Sequence, residues 1–156
     1  MIPEKVRAVL QRHHLTALEF EQGSTPTAPL AAQKLGVRVG QIAKSILLRA
    51  KDGSFYLVVC PGDRRLSNSK LKARVGAKTR LATAEETEAA TGFRPGSVSP
   101  LGLDSIPVLI DEGLKEHATI FPSAGTDGSG VPMSFEQLVA ITAGAVCDLT
   151  ELPDER

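Results

Sequence analysis

The clearest hydrophobic pattern in the chain is a pair of strand-like runs near its middle. Residues 42–49 and 54–60 are rich in Ile, Leu and Val, and the polar segment 51–53, which ends in Gly53, separates them. Two such runs joined by an Asp-Gly turn predict a β-hairpin. Residues 61–63, Pro-Gly-Asp, cannot extend the second run as a strand and are expected to end it.

Helices are predicted where apolar residues recur three or four positions apart between start and stop signals. Residues 3–14 begin at a proline and carry their apolar positions on one face. Capping boxes at 83–86 and 134–137 open two further helices. Other helices are expected at 30–35 and 67–74, and short strands at 17–20, 106–110, 118–121 and 145–149.

The order of these elements narrows the possible fold classes. Helices and strands alternate irregularly, with a hairpin among them, and no internal repeat or interdomain linker interrupts them. This pattern predicts one α+β domain, residues 1–152, in which helices flank a mixed β-sheet. Residues 153–156 are expected to form a frayed tail.

Composition narrows the class of protein. The 156 residues are 42% apolar and 23% charged, with no Trp and one Tyr, which disfavours recognition of single strands by base stacking. The two cysteines lack metal-ligand spacing, and no apolar run approaches the roughly 20 residues that span a bilayer. We therefore expect a reduced, cytoplasmic protein with no membrane partner and no metal.

Charge is unevenly distributed although the net charge is zero. Between residues 34 and 80 there are twelve Lys or Arg residues against two acids, and the densest part is 64–74. A polyanion such as nucleic acid is one expected partner of this stretch. The alternative is a solvated surface whose counter-charges lie elsewhere in the fold. The side chains expected to make the contacts are Arg64, Arg65, Lys70 and Lys72.

Lys44 is the first candidate for chemistry, because it lies near the start of an apolar strand. Such a lysine either reaches solvent at the strand end or faces a polar cavity. In a cavity it would be a fixed cation, suited to a carboxylate, a phosphate or a developing oxyanion.

The second candidate is the segment 92–102, whose glycines and prolines exclude a regular helix or strand. Glycines let backbone N–H groups approach a ligand, and prolines restrict the freedom of the loop. Such a loop can direct amides at a carbonyl oxygen or a water. The alternative is a purely structural turn.

Motifs for other chemistries are absent from the sequence. The glycine-rich segment 125–130 lacks the Lys-Ser/Thr of a phosphate-binding loop, and His13, His14 and His117 lack metal-ligand spacing. There is no Gly-x-Ser-x-Gly nucleophile motif, and Cys60 has no evident base. No cofactor is predicted.

The order of several short segments resembles the YbaK/prolyl-tRNA-synthetase-associated domain family, from about residue 28 to residue 142. The segments are Val-Gly-Gln-Ile-Ala-Lys-Ser at 39–45, Val-Cys-Pro-Gly-Asp at 59–63, Thr-Gly at 91–92, Gly-Ser-Val-Ser-Pro-Leu-Gly at 96–102, Phe-Pro-Ser-Ala-Gly at 121–125, and the helix at 134. The resemblance implies a single domain with a mixed, strongly curved sheet. It also implies hydrolysis of the ester between a wrong amino acid and its tRNA, by the free-standing type that acts in trans.

The resemblance also assigns roles to residues. Lys44 is expected to contact the end of the aminoacyl-tRNA, and the loop is expected to place the ester carbonyl and the attacking water. A terminal ribose hydroxyl of the tRNA is implied to activate that water. The catalytic loop comprises Gly96, Ser97, Val98, Ser99 and Pro100. Further substrate contacts are expected from Thr25, Ser45, Asp63 and Gly125.

The amino acid is only loosely indicated. The loop has no cysteine, unlike some members that remove cysteine, and the bulk of Val98 favours a small residue such as alanine on tRNA-Pro or a related tRNA. The partner is then an aminoacyl-tRNA, with a synthetase as a second candidate. The alternative function is a nucleic-acid- or synthetase-binding module without catalytic activity.

Overall fold

The computed structural model describes residues 1–153. Its helices are α1 (Glu4–Arg12), α2 (Ala28–Leu35), α3 (Asn68–Val75), α4 (Ala84–Thr91) and α5 (Phe135–Thr142). Its strands are β1 (Leu18–Glu19), β2 (Ala43–Ala50), β3 (Phe55–Pro61), β4 (Arg65–Leu66), β5 (Thr79–Leu81), β6 (Val108–Asp111), β7 (Ser129–Gly130), β8 (Ala145–Cys147) and β9 (Thr150–Glu151).

A five-stranded sheet with the order β5-β2-β3-β6-β8 organises the domain. Strand β2 pairs antiparallel with β3 and β5, whereas β6 pairs parallel with both β3 and β8. The sheet is therefore mixed, and the prediction of a single α+β domain of this type is confirmed. Two small ladders, β1-β7 and β4-β9, tie the flanking segments together.

The predicted hairpin forms, with Lys44 opposite Cys60 and Arg49 opposite Phe55. Its turn is stabilised locally, because Ser54 donates from both its backbone N–H and its hydroxyl to the Asp52 carboxylate, at 3.0 and 2.6 Å. Strand β3 ends at Pro61, as the Pro-Gly-Asp segment predicts.

Both faces of the sheet are covered, and successive side chains of β2 pack on opposite faces. Ala43 and Leu47 belong to the larger core, which also contains residues of α1 and α5. Leu48 belongs to a second core with Leu71 of α3 and Leu149. This alternation follows the period of two of a strand, and it fixes the sides toward which Lys44 and Ser45 point.

The helix boundaries confirm the sequence signals. The capping boxes at Thr83 and Ser134 form as predicted. Helices α2, α3 and α4 each end at a left-handed glycine, Gly36, Gly76 and Gly92, where a residue without Cβ adopts that conformation at least cost.

Some short elements were predicted wrongly. Residues 118–121 do not form a strand, because Ile120 and Phe121 each make only one isolated bridge, to Met133 and Ile42 respectively. The last predicted strand ends at Cys147, and a separate β9 follows it. Strands β4 and β5 were not predicted. Pro153 lies in a turn, and the rest of the predicted tail, 154–156, lies outside the described residues.

Candidate active site

A cavity of about 400 Å³ opens beside the start of β2. Helix α2 and the segment before it form one wall, and the loop around Gly96 forms another. The residues of its lining are Thr25, Pro26, Thr27, Ala28, Pro29, Ala31, Leu35, Ile42, Ala43, Lys44, Ser45, Ile46, Gly62, Gly96, Val98, Phe121, Ser123 and Ser129. Two segments that are 52 residues apart in the sequence, at Lys44 and Gly96, therefore line one cavity.

The cavity exists because β2 lacks a neighbour at this end. Strand β5 pairs only with Leu48–Ala50. The outer edge of β2 from Ala43 to Ile46 consequently faces the cavity rather than another strand. At the start of β2, the Ala43 N–H donates to the Phe121 carbonyl at 3.2 Å. This hydrogen bond holds Phe121, another lining residue, against the strand.

Among residues 1–153, Lys44 is the one charged residue that lines this cavity. Its amine donates to the backbone carbonyl of Arg64 at 3.0 Å and is half-buried. Lys44 forms no ion pair with any described residue, so its amine can also donate to an anionic or polarised oxygen.

Ser45 projects from the opposite face of β2, toward the core that contains the loop residues Val98 and Leu101. Its Oγ is buried and has no hydrogen-bond partner, the one such side-chain atom in the described part of the chain. A buried hydroxyl without a partner costs free energy, and a contact with a ligand is one explanation for it.

The loop begins with a tight turn. The Ser97 N–H donates to the Arg94 carbonyl at 2.9 Å, and Gly96 has φ +86°. Pro95 followed by a left-handed Gly96 is the arrangement of a type II turn. A Cβ on Gly96 would lie 3.3 Å from Cβ of Pro26, so glycine also permits close approach to the opposite wall.

The amides of Gly96 and Val98 make no hydrogen bond to any described residue. Both residues line the cavity that contains Lys44. Free N–H groups at a cavity wall can stabilise a carbonyl oxygen or an oxyanion. Lys44 and two residues whose amides have no described partner thus line one cavity.

The other predicted loop residues serve to fix the loop. Ser99 is fully buried; its hydroxyl donates to the Ser123 carbonyl at 2.6 Å and accepts from the Leu101 N–H at 3.1 Å. Pro100 is buried as well. Neither of these two members of the predicted catalytic loop lines the cavity.

The remaining predicted site residues lie in three different places. Thr25 lines the cavity and accepts the Ser129 N–H at 3.0 Å. Ser97 and Gly125 instead line a neighbouring cavity of about 330 Å³. Asp63 is exposed, and a Cβ on Gly40 would lie 2.8 Å from its carboxylate; it does not line the cavity of Lys44.

Sequence reasoning missed the wall that α2 provides. Ala28, Ala31 and Leu35 line the cavity, as does Phe121. The matched segment 121–125 already contained Phe121, but the contribution of α2 follows only from tertiary packing.

The basic stretch is largely neutralised within the fold. Arg64 pairs with Glu116 at 3.0 Å, Arg65 with Glu151 at 2.9 Å, and Lys70 with Asp148 at 3.0 Å. Of the four residues predicted to contact a polyanion, Lys72 alone has no acidic partner within residues 1–153.

Other reactive groups are unsuited to catalysis. Burial raises the pKa of the Cys60 thiol from 9.0 to about 12, so it is not a thiolate at neutral pH. Within residues 1–153 no group of three His, Cys, Asp or Glu side chains is arranged to hold a metal ion. No helix of the described chain has the length and apolar character needed to cross a membrane.

Comparisons with known proteins agree with this fold. The family model of the aminoacyl-tRNA editing domain matches residues 22–141, and the chain belongs to that family. The predicted family resemblance is thereby confirmed.

Individual relatives cover most of the chain. Uncharacterized protein YwhH of Bacillus subtilis is 35% identical over 121 residues, which are 77% of this chain and 76% of YwhH. The Enterococcus faecalis protein named "Putative Cys-tRNA(Pro)/Cys-tRNA(Cys) deacylase EbsC" is 26% identical, over 91% of this chain and 90% of its own. A solved structure described as a "putative trans-editing enzyme for prolyl tRNA synthetase" superimposes with a TM-score of 0.86 at 34% identity, covering 97% of this chain and 99% of its own.

Proposed function

We propose that this protein is an aminoacyl-tRNA deacylase that acts in trans and hydrolyses the ester of a mischarged tRNA. The observation that carries the proposal is the shared cavity of Lys44 and the free amides of Gly96 and Val98. Family membership and the names of the relatives EbsC and the trans-editing enzyme support it.

The chemistry needs no strong nucleophile. An aminoacyl ester is already activated, so positioning of the ester and a few oriented dipoles suffice for attack by water. Water adds to the ester carbonyl, the negative charge forms on the carbonyl oxygen, and the ribose oxygen leaves with a proton. A neighbouring ribose hydroxyl of the substrate accepts the proton from the water as it passes its own proton to the leaving ribose oxygen.

Each residue of the site has a separate role in this reaction. The Gly96 and Val98 amides stabilise the oxyanion, and Lys44 binds a phosphate or the polarised carbonyl at the tRNA end. Ser99 and Pro100 hold the loop rigid, and Thr25 holds the opposite wall. Ser45 contributes a substrate contact from the face of β2 that meets the loop.

The proposed substrate carries a small amino acid such as alanine on tRNA-Pro. A cavity of about 400 Å³ must hold the terminal nucleoside as well as the amino acid. The side chains of Ile46 and Val98 occupy part of its lining, which leaves little room for a large amino-acid side chain. The tRNA body is proposed to meet the basic surface, with Lys72 as its unpaired cation.

A deacylation assay over a panel of mischarged tRNAs tests the proposal. We expect hydrolysis of alanyl-tRNA-Pro and slower hydrolysis of correctly charged tRNA-Pro. Binding of tRNA with no turnover on any member of the panel would instead support the binding-module alternative. Turnover that is fastest on large amino acids would contradict the size preference alone.

A further inference from the structure

The basic residues of segment 34–80 fall into two groups in the fold. Six have an acidic partner within 4.0 Å: Lys34, Arg49, Arg64, Arg65, Lys70 and Arg80. Lys72 and Lys78 have none among the described residues, and both are exposed. Arg38, Lys44, Lys51 and Arg74 also lack an acidic partner among the described residues. What distinguishes Lys72 and Lys78 within this unpaired group is that they line the same surface cavity.

Lys72 and Lys78 also share one surface cavity. They line a space of about 400 Å³ together with Asn68, Ser69 and Thr79. Helix α3 contributes its first turns and β5 its first residue. The lining thus combines two unpaired ammonium groups with an amide and two hydroxyl side chains, which is a set of donors suited to phosphate oxygens.

The position of this surface is fixed by the register of β2. Thr79 pairs with Ala50, six residues beyond Lys44 on the same strand. At a rise of about 3.3 Å per residue, the surface lies roughly 20 Å from Lys44. A stacked nucleic-acid strand rises about 3.4 Å per nucleotide, so this distance corresponds to roughly six nucleotides.

We propose that the cavity lined by Lys72 and Lys78 binds backbone phosphates of the tRNA, roughly six nucleotides from the end held at Lys44. The inference rests on the proposed function and deepens it. The proposed tRNA contacts then come from one defined surface rather than from the whole basic stretch 64–74, and they include Lys78. Lys51, whose backbone N–H donates to the Lys78 carbonyl at 3.1 Å, brings a third lysine next to that surface.

The test compares a full-length aminoacyl-tRNA with an aminoacylated trinucleotide, which extends only about 10 Å and cannot reach the surface. Lys72→Glu and Lys78→Glu are made singly, with Lys115→Glu as the matched control, because Lys115 is an exposed lysine outside α3 and β5. Lys72→Gln and Lys78→Gln remove the charge without reversing it and cover the case in which a glutamate variant misfolds.

The expected result is confined to the long substrate. For each lysine variant, the ratio of kcat/KM on tRNA to kcat/KM on the trinucleotide ester falls about tenfold, and the slope of log Kd against log salt decreases by about one. An equal loss in Lys115→Glu, or unchanged tRNA affinity in the Lys72 and Lys78 variants, overturns the inference. If the wild type hydrolyses neither ester, the proposed function fails, and the tRNA affinities alone still decide whether this surface binds phosphates.

Discussion

Lys44 and Ser45 are consecutive residues of β2, and their side chains leave the sheet on opposite faces. The Lys44 amine donates to the Arg64 carbonyl at 3.0 Å. Ser45 projects toward the core of the glycine loop, with its Oγ buried and unpartnered. The free edge of the strand lets both residues line one cavity. The proposed substrate would therefore lie between the Lys44 amine on one face of the strand and the glycine loop on the other.

Gly96→Ala is expected to lose most of its deacylation activity. The new Cβ would sit at φ +86° and 3.3 Å from Pro26, so the turn would move and carry the Gly96 and Val98 amides with it. The matched control is Gly76→Ala, because Gly76 has the same φ of +86° but open space around its Cβ position. Both variants should lose about 1 kcal/mol of stability from backbone strain. Equal activity losses in the two would show that strain, not loop position, matters.

Ser45→Ala is expected to raise the thermal stability or leave it unchanged, since the substitution removes a buried hydroxyl that has no partner. Deacylation should nevertheless fall by about tenfold, the value of roughly one hydrogen bond to substrate. To make this contact, the hydroxyl would have to rotate about χ1 to another staggered rotamer. Thermal melts and kcat/KM measured on the same preparation check both parts, and unaltered kcat/KM would remove Ser45 from the substrate contacts.

The Glu86 carboxylate makes stability depend on pH. Its pKa lies far below the usual 4.5 because it pairs with Arg80, accepts the Thr83 N–H and pairs with Arg49. A lowered pKa stabilises the fold above the unfolded value of about 4.5, and this contribution is lost as pH falls below it. Glu86→Gln should therefore be less stable than wild type at pH 7, with a difference that shrinks below pH 4.5.

Glu85→Gln is the control for that series, because Glu85 lies in the same first helical turn and has no ion pair among the described residues. Urea unfolding at several pH values measures the difference. A Glu86→Gln deficit that stays constant from pH 7 to pH 3 would contradict the ionic origin.

Cys60 is expected to be irrelevant to the chemistry. Burial raises its pKa to about 12, so alkylation of the native protein at pH 8 should spare it and Cys60→Ala should keep its turnover. The raised pKa stabilises the fold fully below pH 9 and progressively less as pH rises toward 12, because only the unfolded thiol ionises there. Loss of turnover in a folded Cys60→Ala variant would contradict this assignment.

Local signals predicted most of the fold. The hairpin followed from two apolar runs and an Asp-Gly turn, and α4 and α5 from capping boxes at Thr83 and Ser134. Strands β4, β5 and β9 have two or three residues each, so their existence depends on distant pairing partners rather than on periodicity. The same reason explains why residues 118–121 make bridges but no strand.

The candidate site was only partly predictable. Lys44 and Gly96 were selected by residue type and local pattern, and both line the cavity. The directions of Ser97, Ser99 and Asp63 depend on turns and buried hydrogen bonds that sequence spacing does not define. Likewise, the ion pairs of Arg64, Arg65 and Lys70 join residues far apart in the chain, with partners 52, 86 and 78 positions away.

We propose that Lys44 and the glycine loop form one hydrolytic site. The most direct test of this proposal is single-turnover deacylation of alanyl-tRNA-Pro at saturating protein by wild type, Lys44→Ala and the control Lys115→Ala, each checked for folding by circular dichroism. Loss of a charged contact worth a few kcal/mol predicts a rate lower by about two orders of magnitude in Lys44→Ala, with Lys115→Ala at the wild-type rate. A folded Lys44→Ala variant that hydrolyses the ester as fast as wild type would contradict the claim.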